Sequence, residues 1–182
     1  SGIGLATARS FASRGAHVVI FARDETRLAR ACRDIELSRR EASQRVAYVS
    51  MDVADHGDVS AKVSRAVELH GPPDVAVANA GTGYADRFTD IPFDAFDSLM
   101  KTNVYGVRNF LAAVLPRMKP GGGIVIVSSA AGLMGMYGYT AYGTSKFALV
   151  GFAECLRCEL EPMGIHVTLV CPGEVDTPFV PR

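Results

Sequence analysis

Residues 121–129 read GGGIVIVSS, a glycine turn followed by a short apolar run and two serines. The apolar centre of this stretch is rich in β-branched residues and is typical of a buried β-strand. Similar short runs recur along the chain, at residues 17–22, 46–51, 74–78 and 165–171. Helix-like segments alternate with them, at residues 3–14, 24–41, 55–70, 93–118 and 140–161. Five apolar strands separated by helices predict a parallel sheet covered on both faces, which is a doubly wound α/β fold.

The composition narrows the possible classes of protein. The chain has 182 residues, with 19 basic and 19 acidic side chains and a formal net charge of zero. A nucleic-acid-binding protein normally carries a basic excess, so we expect no nucleic-acid partner. Cys155 and Cys158 form a C-x-x-C, but no second pair or nearby histidine completes a zinc site, which predicts reduced thiols and no metal. No N-x-S/T site and no apolar run of about 20 residues occurs, which favours a cytoplasmic protein.

Glycines and an arginine near the start of the chain suggest a dinucleotide site. Ser1, Gly2, Ile3 and Gly4 resemble the end of a glycine-rich turn that runs into a helix, where backbone N–H groups can bind a pyrophosphate. A carboxylate after the next strand would favour NAD(H), but that position holds Ala22, followed by Arg23. A cation there suits the 2′-phosphate of NADP(H), whereas the alternative is a surface pair of Arg23 with its acidic neighbours.

Polar and small residues follow most of the predicted strands. Because parallel strands end at one edge of their sheet, these residues should meet at a ligand-binding crevice. They are Asp52, Val53, Asn79, Ala80, Gly81, Ser128, Ser129, Pro172, Gly173, Val175 and Thr177.

Tyr142 and Lys146 lie four residues apart in a predicted helix, so they share one face. A lysine ammonium next to a tyrosine stabilises the phenolate and would lower its pKa from about 10. This spacing is common by chance, so the neighbouring residues decide its meaning. Ser129 ends a strand upstream, and Asn103 lies inside the predicted helix at 93–118, where an amide needs a polar role.

Taken together, these motifs resemble the short-chain dehydrogenase/reductase family over essentially the whole chain. The resemblance implies a Rossmann-like catalytic domain over residues 1–182 in which Tyr142 donates or accepts a proton. Lys146 would lower the pKa of that tyrosine and bind the nicotinamide ribose, and Ser129 would hold the substrate oxygen. Asn103 would organise a water-linked proton path.

The same resemblance assigns the remaining positions to NADP(H) binding. The segment from Ser1 to Gly4 and Arg23 would contact the phosphates. Asp52 and Val53 would lie at the adenine, and Asn79 to Gly81 along the adenosine. Pro172, Gly173, Val175 and Thr177 would be at the nicotinamide, where the last two hold the carboxamide.

Some stretches are especially similar to 3-ketodihydrosphingosine reductases. They are ARDETRL at residues 22–28, GPPD at 71–74, GYTAYGTSKFA at 138–148 and DTP at 176–178. The resemblance implies NADPH-dependent reduction of a lipid-like ketone, in sphingolipid synthesis. The alternatives are reduction of a 3-ketoacyl thioester or a steroid, a non-catalytic NADP-binding sensor, and a methyltransferase on the same fold.

Two parts of the family pattern are absent from these 182 residues. They are the first strand with its glycines and the substrate-covering C-terminal segment. We therefore expect a longer polypeptide, and attachment to the cytosolic face of the endoplasmic reticulum if an upstream anchor exists. The resemblance also implies a homodimer or homotetramer, built on the helices at 93–118 and 140–161. The stretch LMGMY at residues 133–137 is expected to form a flexible substrate-side wall.

Overall fold

The computed structural model describes residues 2–177, which divide into two compact units. The first unit comprises Ser1–Asp52 and Asp176–Arg182, and the second comprises Val53–Val175. Each unit has its own parallel sheet, so the chain has the α/β character that the sequence predicts.

The first unit contains helix α1 (Gly2–Ser13), strand β1 (Val18–Ala22), helix α2 (Glu25–Glu36) and strand β2 (Val46–Ser50). The two strands pair in parallel, from Val18 opposite Val46 to Ala22 opposite Ser50. Ala8, Ala12 and Ile35 form a buried cluster, so both helices pack on the same core. As expected, Asp24 caps α2, because its carboxylate accepts a hydrogen bond from the Arg27 N–H at 2.9 Å.

The predicted end of the second helix at residue 41 is wrong, since α2 ends at Glu36. The reason lies in the buried side chain of Gln44. Its amide donates hydrogen bonds to the carbonyls of Ala12 and Ala16, both at 2.8 Å, and accepts one from the Glu41 N–H. These bonds fix residues 37–45 as a loop against the end of α1.

The second unit contains four α-helices and three strands. They are α3 (His56–His70), β3 (Val75–Ala78), α4 (Phe93–Met100), α5 (Gly106–Val114), β4 (Gly123–Val127), α6 (Thr140–Leu160) and β5 (His166–Val170). The strand order is β3-β4-β5 and both pairings are parallel. Strand β4 is central, and its Ile124 and Ile126 are fully buried. The GGGIVIVSS stretch is therefore the middle of this sheet.

The long helix predicted at 93–118 is present as a run of helical turns of different types. A π-helical turn, Lys101–Tyr105, separates α4 from α5, and a 3-10 turn, Leu115–Arg117, follows α5. Such π turns are uncommon and often occur at functional sites. This one contains Asn103, the polar residue that the sequence analysis singled out.

The sheet membership of the strands agrees with the doubly wound order. In the order 3-2-1-4-5-6, β1 and β3 correspond to the second and fourth strands, which are not neighbours. In this structure β1 and β3 belong to different sheets. Across residues 2–177, none of the helices combines the length and the hydropathy needed to cross a membrane.

Candidate active site

Tyr142 and Lys146 lie one turn apart on α6 and are both buried, with 8% and 4% of their surfaces exposed. The Lys146 ammonium lies 5.6 Å from the centre of the Tyr142 ring. It also donates a hydrogen bond to the carbonyl of Val127, the last residue of β4, at 3.2 Å. The helix face and the end of the central strand thus hold the two side chains together.

Ser129 follows β4 in an extended conformation and begins a short turn, Ala130–Gly132. Its hydroxyl accepts a hydrogen bond from the Ala131 N–H at 3.2 Å and forms another with the Tyr142 phenol. The structure therefore brings Ser129, Tyr142 and Lys146 into one cluster at the carboxyl end of β4.

Asn103 is fully buried, and its side-chain amide connects two segments of the second unit. Its Oδ1 accepts from the Thr82 N–H at 2.7 Å, and its Nδ2 donates to the Thr82 carbonyl at 2.9 Å. The second Nδ2 hydrogen reaches the Ser145 hydroxyl at 3.0 Å. Both amide hydrogens of Asn103 are therefore committed to protein partners.

Ser145 continues this network into the catalytic helix. It is fully buried, and its hydroxyl donates to the Tyr142 carbonyl at 2.7 Å. Sequence reasoning missed Ser145, as it did Thr82 and the structural role of Ser128, whose hydroxyl donates to the Lys146 carbonyl at 2.9 Å. The available signal for Ser145 was its position three residues after Tyr142, on the same helix face.

Gly81 lies where the loop after β3 passes this cluster. A Cβ atom added there would be 3.3 Å from Asn103 Oδ1 and 3.6 Å from the Lys146 ammonium. The missing side chain leaves open space beside the ammonium. Asn79 is half-buried and Ala80 and Gly81 are exposed, so the predicted NAG segment does border the cluster.

The electrostatics of the cluster are set mainly by burial. Burial raises the pKa of Tyr142 above its usual value of 10.0, the hydrogen bond with Ser129 lowers it, and Tyr139 raises it. Burial lowers the pKa of Lys146 to about 8, partly opposed by the charge of Cys171. The net shift of the Tyr142 pKa is thus upward and not the lowering expected from the sequence, because removal of the phenol from water outweighs the hydrogen bond with Ser129.

The segment after β5 reaches the same turn. The Pro172 carbonyl accepts a hydrogen bond from the Ala130 N–H at 2.8 Å, next to Ser129. Gly173 and Val175 are exposed further along the segment. Val53 lies elsewhere in the second unit, against Gly106, and its carbonyl accepts from the Asn109 amide. Pro172 therefore ties the segment after β5 to the turn that begins at Ser129.

The remaining predicted cofactor residues belong to the first unit. Gly2 to Gly4 form the first turn of α1, where backbone N–H groups lack helical partners, and Ser1 lies outside the described residues. Thr177 lies against Gly2, since a Cβ on that glycine would be 3.3 Å from the threonine side chain. Arg23 is exposed after β1 and Asp52 is half-buried after β2. Asp24 pairs with Arg27 at 3.3 Å.

The predicted substrate-side wall is an exposed apolar loop. Its large side chains are exposed, by 49% for Met136 and by 60% or more for Leu133, Met134 and Tyr137. A surface pocket of about 370 Å³ lies between this loop and the first turns of α6, and Tyr139 lines it. The Tyr139 ring meets that of Tyr142 edge-on, with their centres 5.9 Å apart. The pocket and the buried tyrosine are therefore neighbours.

Parallel α/β units with a Ser–Tyr–Lys cluster at the end of a strand, in which the tyrosine and the lysine are buried, define a Rossmann-like protein with the residues for acid–base chemistry. A family model described as short chain dehydrogenase matches residues 1–182, and the chain belongs to that family. A solved structure of a substituted actinorhodin polyketide ketoreductase with NADPH superposes with a TM-score of 0.90 at 32% identity, over 98% of this chain and 68% of that chain. The Rossmann-like fold class is confirmed.

Curated relatives are also similar in sequence. A 3-dehydrosphinganine reductase of Danio rerio is 40% identical over 181 residues, which are 98% of this chain and 54% of that protein. A 3-ketodihydrosphingosine reductase of Mus musculus is 39% identical over the same shares of the two chains. The chain thus spans about half the length of these relatives.

Proposed function

We propose that the protein is an NADPH-dependent reductase that converts a long-chain ketone to a secondary alcohol. The observation that carries this proposal is the cluster of the half-buried Ser129 with the buried Tyr142 and Lys146, which sets a proton donor beside a hydrogen-bonding serine and a cation. A non-catalytic sensor or a methyltransferase has no use for this arrangement.

Two groups of residues, one in each unit, fit different parts of a nicotinamide dinucleotide. The open space at Gly81 lies beside the Lys146 ammonium, which suits hydroxyl groups of a ribose. The first turn of α1 begins at a glycine with φ of 55° and offers N–H groups suited to a pyrophosphate. When bound, the cofactor supplies the hydride that the protein itself cannot provide.

The protein's part in the reaction is to hold and protonate the substrate oxygen. Ser129 and Tyr142 would bind the ketone oxygen from two sides, as their mutual hydrogen bond indicates. Tyr142 then transfers its phenolic proton to that oxygen while the carbonyl carbon is reduced. The Lys146 ammonium stabilises the resulting phenolate.

The raised pKa of Tyr142 determines which form of the phenol is present at neutral pH. A phenol with a pKa above 10.0 is fully protonated at neutral pH and therefore ready to donate. Lys146, with a pKa of about 8, is mostly charged at neutral pH and provides the balancing cation. Both groups are in the form that reduction requires.

The role inferred for Asn103, organising a water-linked proton path, needs a different atom from its amide hydrogens. Those hydrogens are already bonded to Thr82 and Ser145. A water would therefore bind through the backbone of the π-helical turn, and the amide would fix the position of that turn. This assignment makes the Asn103 side chain a positioning group.

The preference for NADPH rests on the residues after β1. Ala22 offers no carboxylate to repel a 2′-phosphate, and Arg23 is exposed and free to approach one. Asp24, the next residue, is engaged by the Arg27 side chain and by a backbone N–H in the first turn of α2. Arg23 therefore offers an exposed cation at the end of β1 for this phosphate.

The substrate class follows from the relatives and from the loop at 133–137. Both curated relatives are named as reductases of a long-chain amino ketone, and the exposed apolar loop suits an alkyl chain. A polyketide ketoreductase is also similar, so a 3-ketoacyl thioester is the second candidate.

The proposal is tested by following NADPH oxidation with 3-ketodihydrosphingosine, a 3-ketoacyl thioester and a ketosteroid. We expect the first ketone to give the highest kcat/KM, and NADH to support at least about tenfold less activity than NADPH. Highest activity with the thioester would support the second candidate. Tight NADPH binding without turnover of any ketone would overturn the reductase assignment.

A further inference from the structure

Asp86 lies on a loop that is tied to the substrate-side wall. Its backbone N–H donates to the Gly138 carbonyl at 2.8 Å. The approach is close, because a Cβ on Gly138 would be 3.8 Å from the Asp86 carbonyl oxygen. The loop after β3 and the loop before α6 are therefore held side by side at Asp86.

Residues close in sequence to Asp86 and to Gly138 pack against the reacting tyrosine or its cluster. Gly138 precedes Tyr139, whose ring packs edge-on against Tyr142. Tyr84, two residues before Asp86, packs on the buried cluster that contains Tyr142. The loop that carries Asp86 is thus tied, through Tyr84 and Gly138, to the side chains that pack on Tyr142.

The charge of Asp86 is not neutralised by a cation among residues 2–177. Its Oδ1 accepts only the backbone N–H of Arg87, at 2.9 Å. The other acids of this region are engaged: Asp90 with Arg87 at 3.8 Å, and Asp97 with Lys101 at 2.6 Å. Asp94 also acts on the Lys101 charge. An exposed carboxylate without a cationic partner remains at the edge of the site.

The surroundings of Asp86 combine this negative charge with apolar surface. Tyr137, next to Gly138, is 86% exposed, and Phe88, two residues after Asp86, is 69% exposed. A ligand that matches such a surface has a cationic group and a hydrocarbon chain. A 2-amino-3-ketone of the sphingoid type has both, with its ammonium on the carbon next to the carbonyl.

We propose that the Asp86 carboxylate binds the substrate's ammonium group and so selects amino ketones over uncharged ketones. This inference rests on the proposed function, because it places the carbonyl of the same molecule at Ser129 and Tyr142. A 3-ketoacyl thioester or a steroid gains nothing from the carboxylate. The selection is therefore a property of Asp86 and not of the reacting cluster.

The test uses Asp86→Asn and two ketones with the same chain, 3-ketodihydrosphingosine and its analogue without the amine. Asparagine keeps the acceptor for the Arg87 N–H but removes the charge. We expect kcat/KM for the amino ketone to fall about five- to tenfold, chiefly through KM, while the value for the deaminated ketone changes less than twofold. Asp90→Asn, which removes an acid already paired with Arg87, is the matched control and should change neither value.

The outcomes separate the two proposals. If the wild-type protein reduces both ketones and Asp86→Asn affects them equally or not at all, the role of Asp86 is overturned and the proposed function stands. If the wild-type protein reduces neither ketone with NADPH, both proposals fail. An unchanged melting temperature of Asp86→Asn would show that a selective loss is not caused by unfolding.

Discussion

Replacing Tyr142 with phenylalanine is expected to reduce ketone reduction by at least about 10³-fold, because the variant has no proton to donate. The ring remains and still fills its place against Tyr139 and the cluster of Leu99, Ala131 and Ala141. The fold and NADPH affinity should therefore change little. The measurement is single-turnover oxidation of NADPH with saturating ketone, together with a fluorescence titration of NADPH.

Tyr139→Phe is the matched control for this variant. Tyr139 lies in the same aromatic pair but is not in the hydrogen-bonded cluster with Ser129. We expect it to retain activity within a few fold. Near-normal turnover by Tyr142→Phe would exclude the phenol as the proton donor, and equal losses in both variants would indicate a packing effect.

Replacing Lys146 with methionine is expected to reduce kcat by at least about 10²-fold and to weaken NADPH binding. Methionine preserves most of the aliphatic volume but removes the ammonium that lies 5.6 Å from the Tyr142 ring. The phenolate formed on proton transfer would then be buried without a cation. Steady-state kinetics and the NADPH titration measure the two effects separately.

Lys101→Met provides the control for the loss of a lysine. Lys101 is an exposed residue at the start of the π-helical turn, and its ammonium is paired with the Asp97 carboxylate at 2.6 Å. Its loss should leave kcat within about twofold. If Lys146→Met kept wild-type kcat, the stabilising role of the ammonium would be wrong.

The sequence was sufficient to predict the helices and strands and the cluster of Ser129, Tyr142 and Lys146, because both depend on short-range patterns. The strand at GGGIVIVSS is recognisable from its β-branched residues alone. The four-residue spacing of Tyr142 and Lys146 fixes their common helix face whatever else surrounds them. Ser129 could be placed nearby because parallel strands end at one edge.

The features that sequence could not give depend on contacts between distant segments. The end of α2 depends on Gln44 bonding to Ala12 and Ala16, about 30 residues away. The π-helical turn and the bond from Asn103 to Ser145 likewise need the folded chain. The direction of the Tyr142 pKa depends on how far the phenol is removed from water, which no motif encodes.

The polarity of a residue in the sequence did not indicate whether its side chain has a structural role or is open to a ligand. Asn103 was selected for its polarity, yet its amide is used entirely in holding Thr82 and Ser145. Asp86 was not selected at all, because a single aspartate in a loop has no distinctive spacing. Only its backbone bond to Gly138 shows that its loop is tied to the segment that precedes α6.

The central claim is that a protonated Tyr142 delivers its proton while a charged Lys146 stabilises the phenolate. The pH dependence of kcat/KM for ketone reduction with NADPH tests this claim most directly. The Lys146 ammonium is present below its pKa of about 8 and is lost above it. We therefore expect a constant value near neutral pH that declines as the pH rises through about 8. A rate that increases with pH over the same range, or that stays level up to the titration of ordinary lysines, would contradict the account.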